Sequence, residues 1–205
     1  MATCMYLTHP NVDIDPAVPV TNWDLSDVGI ARLRKGLRQP WLVSVDHVIT
    51  STEKKALETG RLIANHLGID SWAVEGLHEN DRSSTGYLPP EEFEKVADEF
   101  FERPAVSIRG WERALDAQSR VVAAVKKALA ELPDTASVLF AGHGGVGSLL
   151  RCHLMDAGIT RNFDQPAGGG CYFFFDPEDL EKKSATSEST AWRRIEQLTD
   201  KVVKA

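Results

Sequence analysis

The chain has 205 residues, 42% of them hydrophobic and 26% charged, with a formal net charge of -7 and a pI near 5.4. That length supports one domain with its own core, and the acidic balance excludes the clustered basic face that nucleic acid requires. Cys4, Cys152 and Cys171 are odd in number and lack CxxC spacing, which excludes a disulfide framework and a zinc knuckle and leaves reduced thiols.

Thr3 to Leu7 reads as a short strand that stops at Thr8-His9-Pro10. Asn11 to Trp23, rich in Asn, Asp and Pro, is a loop longer than a structural connection needs, and such loops tend to build sites. Leu25-Ser26-Asp27 offers a cap, and Val28, Ala31, Leu33 and Leu37 fit a helix to about Leu37. Asp46 to Ile49 reads as a second strand ending at Thr50-Ser51-Thr52. A helix over Glu53 to Leu67 follows, with Ala56, Leu57, Leu62, Ile63 and Leu67 as its apolar stripe and Thr52 or Ser51 as cap. Lys54 and Lys55 fall in its first turn, where the helix dipole disfavours cations; either they hold an anion or they are solvated.

Ser71 to Val74 forms a third short strand leading into Leu77-His78-Glu79. The polar, turn-rich stretch that follows, together with a helix over about Glu91 to Phe101, makes a lid-like insertion at about 76–110. A long helix over Trp111 to Leu132 buries Leu115, Val121, Val122, Val125, Ala128 and Leu129. Val138 to Ala141 is a buried strand that breaks at Gly142-His143-Gly144-Gly145 and resumes with helical spacing. It delivers His143 into a helix N-terminus, an anion-attracting position at the carboxyl end of a strand. Gly168 to Gly170 is a turn, Cys171 to Phe175 a strand, Lys182 to Glu188 a surface segment, and Thr190 to Val203 a closing helix.

Strands alternating with helices predict an α/β fold, a three-layer α/β/α sandwich with a mainly parallel sheet and helices on both faces, in one domain over 1–205. His47, His66, His78 and His153 show no metal spacing, so no metal and no cofactor are expected. Gly142 to Gly147 lacks the Gly-Lys-Ser/Thr of a nucleotide P-loop, and no GxGxxG follows the first strand. Neither a signal-like N-terminus nor a membrane-length apolar run is present, so a cytoplasmic chain with no membrane partner is expected.

A first strand ending in His9, the helix start Leu25-Ser26-Asp27-Val28-Gly29, the stretch TSTEKKALETG from Thr50, Leu77-His78-Glu79 and AGHGG from Ala141 come in one order. In that order the chain resembles the histidine phosphatase superfamily, the phosphoglycerate mutase-like proteins, over about Met5 to Leu150 and Phe163 to Phe175. The resemblance implies a phosphoglycerate mutase-like fold and a phosphohistidine mechanism. His9 becomes the nucleophile, His143 the group that hydrogen-bonds the transferred phosphoryl, and Glu79 the proton donor to the leaving oxygen. Near neutrality much of an ordinary imidazole, with a pKa of about 6.5, is the neutral nucleophile.

The chain departs from the family's Arg-His-Gly, carrying Thr8-His9-Pro10, and Lys55 stands where a second pocket arginine is expected. A hydroxyl and a point charge do not reproduce bidentate guanidinium contacts to phosphate. Arg82 or Arg109 is expected to supply the missing guanidinium, Asn11 to replace a donor lost with Pro10, and Thr8, Lys55 and Gly144 to complete the substrate contacts. The function implied is hydrolysis of a small phosphate monoester. Mutase-type phosphoryl transfer and a catalytically silent phosphate-binding domain are the alternatives. The expected partner is a small phosphorylated molecule, with a homodimer left open.

Overall fold

The structure is a computed structural model and describes residues 3–199. Six strands form one sheet in the order β3-β2-β4-β1-β5-β6: β1 Cys4–Thr8, β2 His47–Thr50, β3 Ser71–Ala73, β4 Val138–Gly142, β5 Cys171–Phe175 and β6 Arg193–Arg194. The first four are mutually parallel; β5 runs antiparallel to β1, and β6 antiparallel to β5. The helices are α1 Asp27–Gly36, α2 Lys54–Leu67, α3 Pro90–Glu102, α4 Ala114–Ala130, α5 Gly144–Leu154 and the short α6 Asp179–Lys182.

Strand side chains alternate between faces, and the apolar sequence of the central strands serves both. Cys4, Tyr6, Val138, Phe140, Phe173 and Phe175 pack in one cluster with residues of α3, α4 and α5. Met5, Leu7, Leu139, Ala141 and Tyr172 pack in a second cluster with Leu33 of α1, Ile63 of α2 and Trp41. This is the three-layer α/β sandwich expected. Ser26 caps α1 by accepting the Gly29 N–H at 3.2 Å. The cap of α2 is different: its N-cap residue is Glu53, and Ser51 Oγ accepts the Glu53 N–H at 3.2 Å instead of bonding into the helix.

Two expectations fail. Leu115 is 44% exposed, because the buried stripe of α4 runs through Ala114, Ala117, Val121, Val125 and Ala128 and leaves it to one side. No helix covers Thr190 to Thr199: after a turn at 187–190, Arg193 and Arg194 pair with Tyr172 and Cys171 as β6. Buried Ile195 and half-buried Trp192 give this stretch its apolar anchors, and sheet pairing satisfies its backbone. The rest of the expected closing helix lies outside the described residues. No helix among the described residues is long and apolar enough to cross a membrane.

Candidate active site

Register brings the two histidines together. Thr8 of β1 pairs with Gly142 of β4, so His9 and His143 are the residues that follow adjacent strands at the same level. The His9 N–H donates to the Gly142 carbonyl at 3.0 Å, continuing the ladder by one rung. The chain leaves β1 for α1 on one face of the sheet and leaves β4 for α5 on the other. Such a divergence opens a crevice at the carboxyl ends of parallel strands. The two imidazoles meet there edge to face, with ring centroids 5.3 Å apart.

Each ring is held differently. His9 Nδ1 lies 2.8 Å from the Pro10 carbonyl, which only accepts, so Nδ1 carries the proton and Nε2 keeps its lone pair. Burial, with Lys55 reinforcing it, lowers the His9 pKa to about 4, so the ring is neutral at neutral pH. His143 is fully buried, and burial holds its pKa well below the ordinary value, with Glu53 opposing the shift. Its Nε2 lies 2.7 Å from Ser51 Oγ, while its Nδ1 is buried without a partner among the described residues. The Tyr6 hydroxyl accepts the His143 N–H at 3.1 Å and donates to its carbonyl at 3.2 Å, fixing the backbone.

Glu79 is the carboxyl group that the N-terminus of α5 meets. Its Oε2 accepts the Gly145 N–H at 3.0 Å, and its Oε1 accepts those of Val146 at 2.9 Å and Asn80 at 3.2 Å. A Cβ on Gly145 would stand 2.7 Å from Glu79 Oε1, so this close approach needs glycine. The turn carrying Glu79 is held from behind by Arg120, which donates to the carbonyls of Gly76 at 2.8 Å and His78 at 2.9 Å and pairs with Glu112 at 2.7 Å.

A cavity of about 600 Å³ is lined by His9, Glu79, Arg82 and Gly144, with Phe93 and Trp111 in its wall. A second, of about 710 Å³, shares Glu79 and Arg82 with it. Arg82 makes no ion pair among the described residues, and its guanidinium lies 5.0 Å over the Phe93 ring. Of the two arginines the sequence left open, Arg82 therefore reaches the cavity. Arg109 does not: it sits exposed on the surface, paired with Glu92.

Three other expected contacts are turned to structural work. The Thr8 hydroxyl is buried and bonded to Gln165 Oε1 at 2.5 Å, and it accepts the Cys171 N–H at 3.1 Å. Asn11 Oδ1 accepts from Arg32 at 2.7 Å, and Arg32 also holds the carbonyls of Gly168 and Gly169. Lys55 is 2% exposed, ion-paired with Glu53, and donates to the Val20 carbonyl at 2.8 Å. None of the three lines either cavity beside His9 and Arg82. Lys54 is on the surface, paired with Asp24.

Sequence reasoning missed Glu53, Asn80, Ser148, Arg161 and Gln165. Asn80, Ser148, Arg161 and Gln165 line the cavity with His9, and Arg161 is bound to Glu94, Asp98 and Asp164. Glu53 carried a signal, an acid beside the anomalous Lys55 in a first turn, but a surface reading of that pair was equally available. Among the described residues no group of three or more His, Cys, Asp or Glu side chains is arranged to hold a metal ion.

No curated protein matches the chain. Among solved structures, the mycobacterial glucosyl-3-phosphoglycerate phosphatase bound to inorganic phosphate superposes with a TM-score of 0.74 at 15% identity, covering 96% of this chain and 100% of that one. YhfR of Bacillus stearothermophilus gives 0.72 at 20% identity over 85% and 90% of the two chains. The Entamoeba histolytica phosphoserine phosphatase in complex with 3-phosphoglyceric acid gives 0.64 at 16% over 84% and 90%. At these identities the likeness is one of fold. The family profile described as histidine phosphatase superfamily (branch 1) matches residues 11–186, beginning just after the divergent Thr8-His9-Pro10. By its sheet, by the place of its two histidines and by that match, the chain belongs to the histidine phosphatase superfamily.

Proposed function

We propose that the protein hydrolyses a small phosphate monoester through a phosphohistidine on His9. The observation that carries this reading is the meeting of two imidazoles at 5.3 Å, with the His9 Nδ1 proton committed to the Pro10 carbonyl and Nε2 left as a lone pair. In the first half-reaction His9 Nε2 attacks phosphorus, the P–O ester bond breaks, and the leaving alkoxide takes a proton from the Glu79 carboxyl. In the second, water attacks phosphorus, the N–P bond breaks, and the water proton passes to Glu79 as inorganic phosphate forms. Oε2 is the oxygen of Glu79 suited to carry that proton, since it accepts one N–H while Oε1 accepts two.

Phosphoryl transfer depends on positioning and on positive charge at the equatorial oxygens. Arg82 supplies that charge and the Gly144 end of α5 the floor, while His143, a neutral ring beside His9 that lines neither cavity, offers its unpartnered Nδ1 for hydrogen bonding only. The similarity of fold to two phosphatases, one of them bound to phosphate, supports the reading. Incubation with a generic phosphate ester is expected to leave acid-labile, base-stable phosphate on the wild-type chain and none on His9→Ala; equal labelling discards His9 as nucleophile.

The rival reading is a silent phosphate-binding domain. It is favoured by the loss of Lys55 to Glu53, which leaves Arg82 as the unpaired cation lining the cavity among the described residues. Binding of phosphate or vanadate without product release from a broad panel of esters selects that reading.

A further inference from the structure

At the start of α2 the expected cationic contact and an unexpected carboxylate form one unit. Glu53 and Lys55 are 6% and 2% exposed and ion-paired to each other. Glu53 also accepts the backbone N–H of Glu79 on Oε1 at 2.9 Å, and the same oxygen lies 3.6 Å from His143 Nε2. Its own N–H donates to Ser51 Oγ, the atom 2.7 Å from that imidazole nitrogen. One carboxylate thus touches the lysine, the turn carrying Glu79 and the neighbourhood of the second histidine. The carboxylate offsets part of the lysine's field, and although the lysine's share is still the larger at His9, the paired Lys55 offers an incoming dianion less attraction than a free one.

We propose that Glu53 is a positioning residue: it sequesters Lys55 from the phosphoryl pocket and sets the placement of His143 and Glu79, leaving Arg82 as the cation that meets phosphate. This rests on the phosphatase reading of the site. The charged and titratable groups acting on His143 are His9 just after β1, Glu53 capping α2, Lys55 in its first turn and Arg82 from the loop after β3, and Glu53 is the anion at its ring nitrogen. Burial opposes ionisation of Glu53, but His143, Lys55 and the Glu79 N–H outweigh it and hold its carboxyl at about 2. Burial likewise lowers the pKa of Lys55, with Glu53 offsetting part of the shift.

A double-mutant cycle decides it, read as affinity for inorganic phosphate by calorimetry and as kcat and KM on para-nitrophenyl phosphate. Lys55→Met alone leaves an uncompensated buried anion beside the pocket and is expected to weaken phosphate binding at least ~10-fold. Glu53→Gln with Lys55→Met removes the pair as a unit, is expected to fold where the single variant fails, and keeps phosphate affinity within about threefold. Its kcat is expected to fall at least ~10-fold with KM little changed, the split that marks lost placement of reacting groups rather than lost binding. If the double variant loses phosphate affinity as much as an Arg82→Met variant does, Lys55 contacts the ligand and the inference is overturned. If its kcat is unchanged, Glu53 positions nothing and the inference is likewise overturned. A wild-type chain that binds phosphate but turns over no ester defeats the phosphatase reading, and the affinity arm still decides how Lys55 acts; a chain that binds no phosphate defeats both.

Discussion

At the residue scale, the site's chemistry depends on which groups are free and which are committed. His9 is poised by one hydrogen bond to a carbonyl and by burial that lowers its pKa to about 4. Since kcat/KM reports the free enzyme, its acid limb is expected at about pH 4 rather than near the ordinary histidine value of about 6.5. A limb at the ordinary value sinks the proposed state of the nucleophile. The two arginines differ in the same way. Arg82→Met is expected to weaken inorganic phosphate binding at least ~10-fold, as loss of a charge-assisted contact does. Arg109→Met leaves it within about twofold, because an exposed pair outside the cavity contributes little. Calorimetric titration of both variants checks the pair, and a reversed order refutes the assignment of Arg82.

At the element scale, α3 and α4 close one side of the molecule by burying aromatic and small residues against the sheet. Phe100, 1% exposed, packs edge to face with Phe101 at 5.2 Å and beside Trp111, so the stretch 76–110 shares the main core. Phe100→Ala is expected to cost about 3–5 kcal/mol in urea unfolding, as buried aromatic truncations do. Leu115→Ala, on the exposed side of α4, is expected to stay within about 0.5 kcal/mol. Comparable losses for the two would mean that α4 turns its other face inward. Periodicity located both helices and failed at Leu115, because an apolar residue one step from a helix start fits either face until the packing partner is known.

At the scale of the whole molecule, the buried site groups link stability to acidity. His9 binds its proton at about 4 in the folded chain and at about 6.5 when unfolded, so the unfolded state takes up the extra proton in between. Stability is therefore full above about pH 6.5 and is lost as pH falls toward 4. Glu53, held at about 2 against an unfolded value near 4.5, adds a loss that begins lower, as pH falls through 4.5 toward 2. Urea midpoints measured from pH 7.5 to 4 are expected to decline, and less steeply in His9→Ala; a flat wild-type profile between 6.5 and 4.5 refutes the buried neutral imidazole.

Much of this architecture was legible in the chain itself. Short apolar runs ending in histidine, the Ser26 cap and the glycines after Ala141 marked the elements and their order, because they are local and periodic. The resemblance supplied the pairing of His9 with His143, and the Thr8 to Gly142 register shows how the sheet achieves it. What sequence could not decide was partnership across long separations. Thr8 bonds to Cys171, Asn11 to Arg32, and Arg82 rather than Arg109 reaches the cavity, each through contacts that only the closed sheet creates. The end of the described chain became β6 and not a helix because β5 offered it an unpaired edge. Local propensity sets what a segment can form; which charge stays free to meet a ligand depends on distances that exist only once the core has closed.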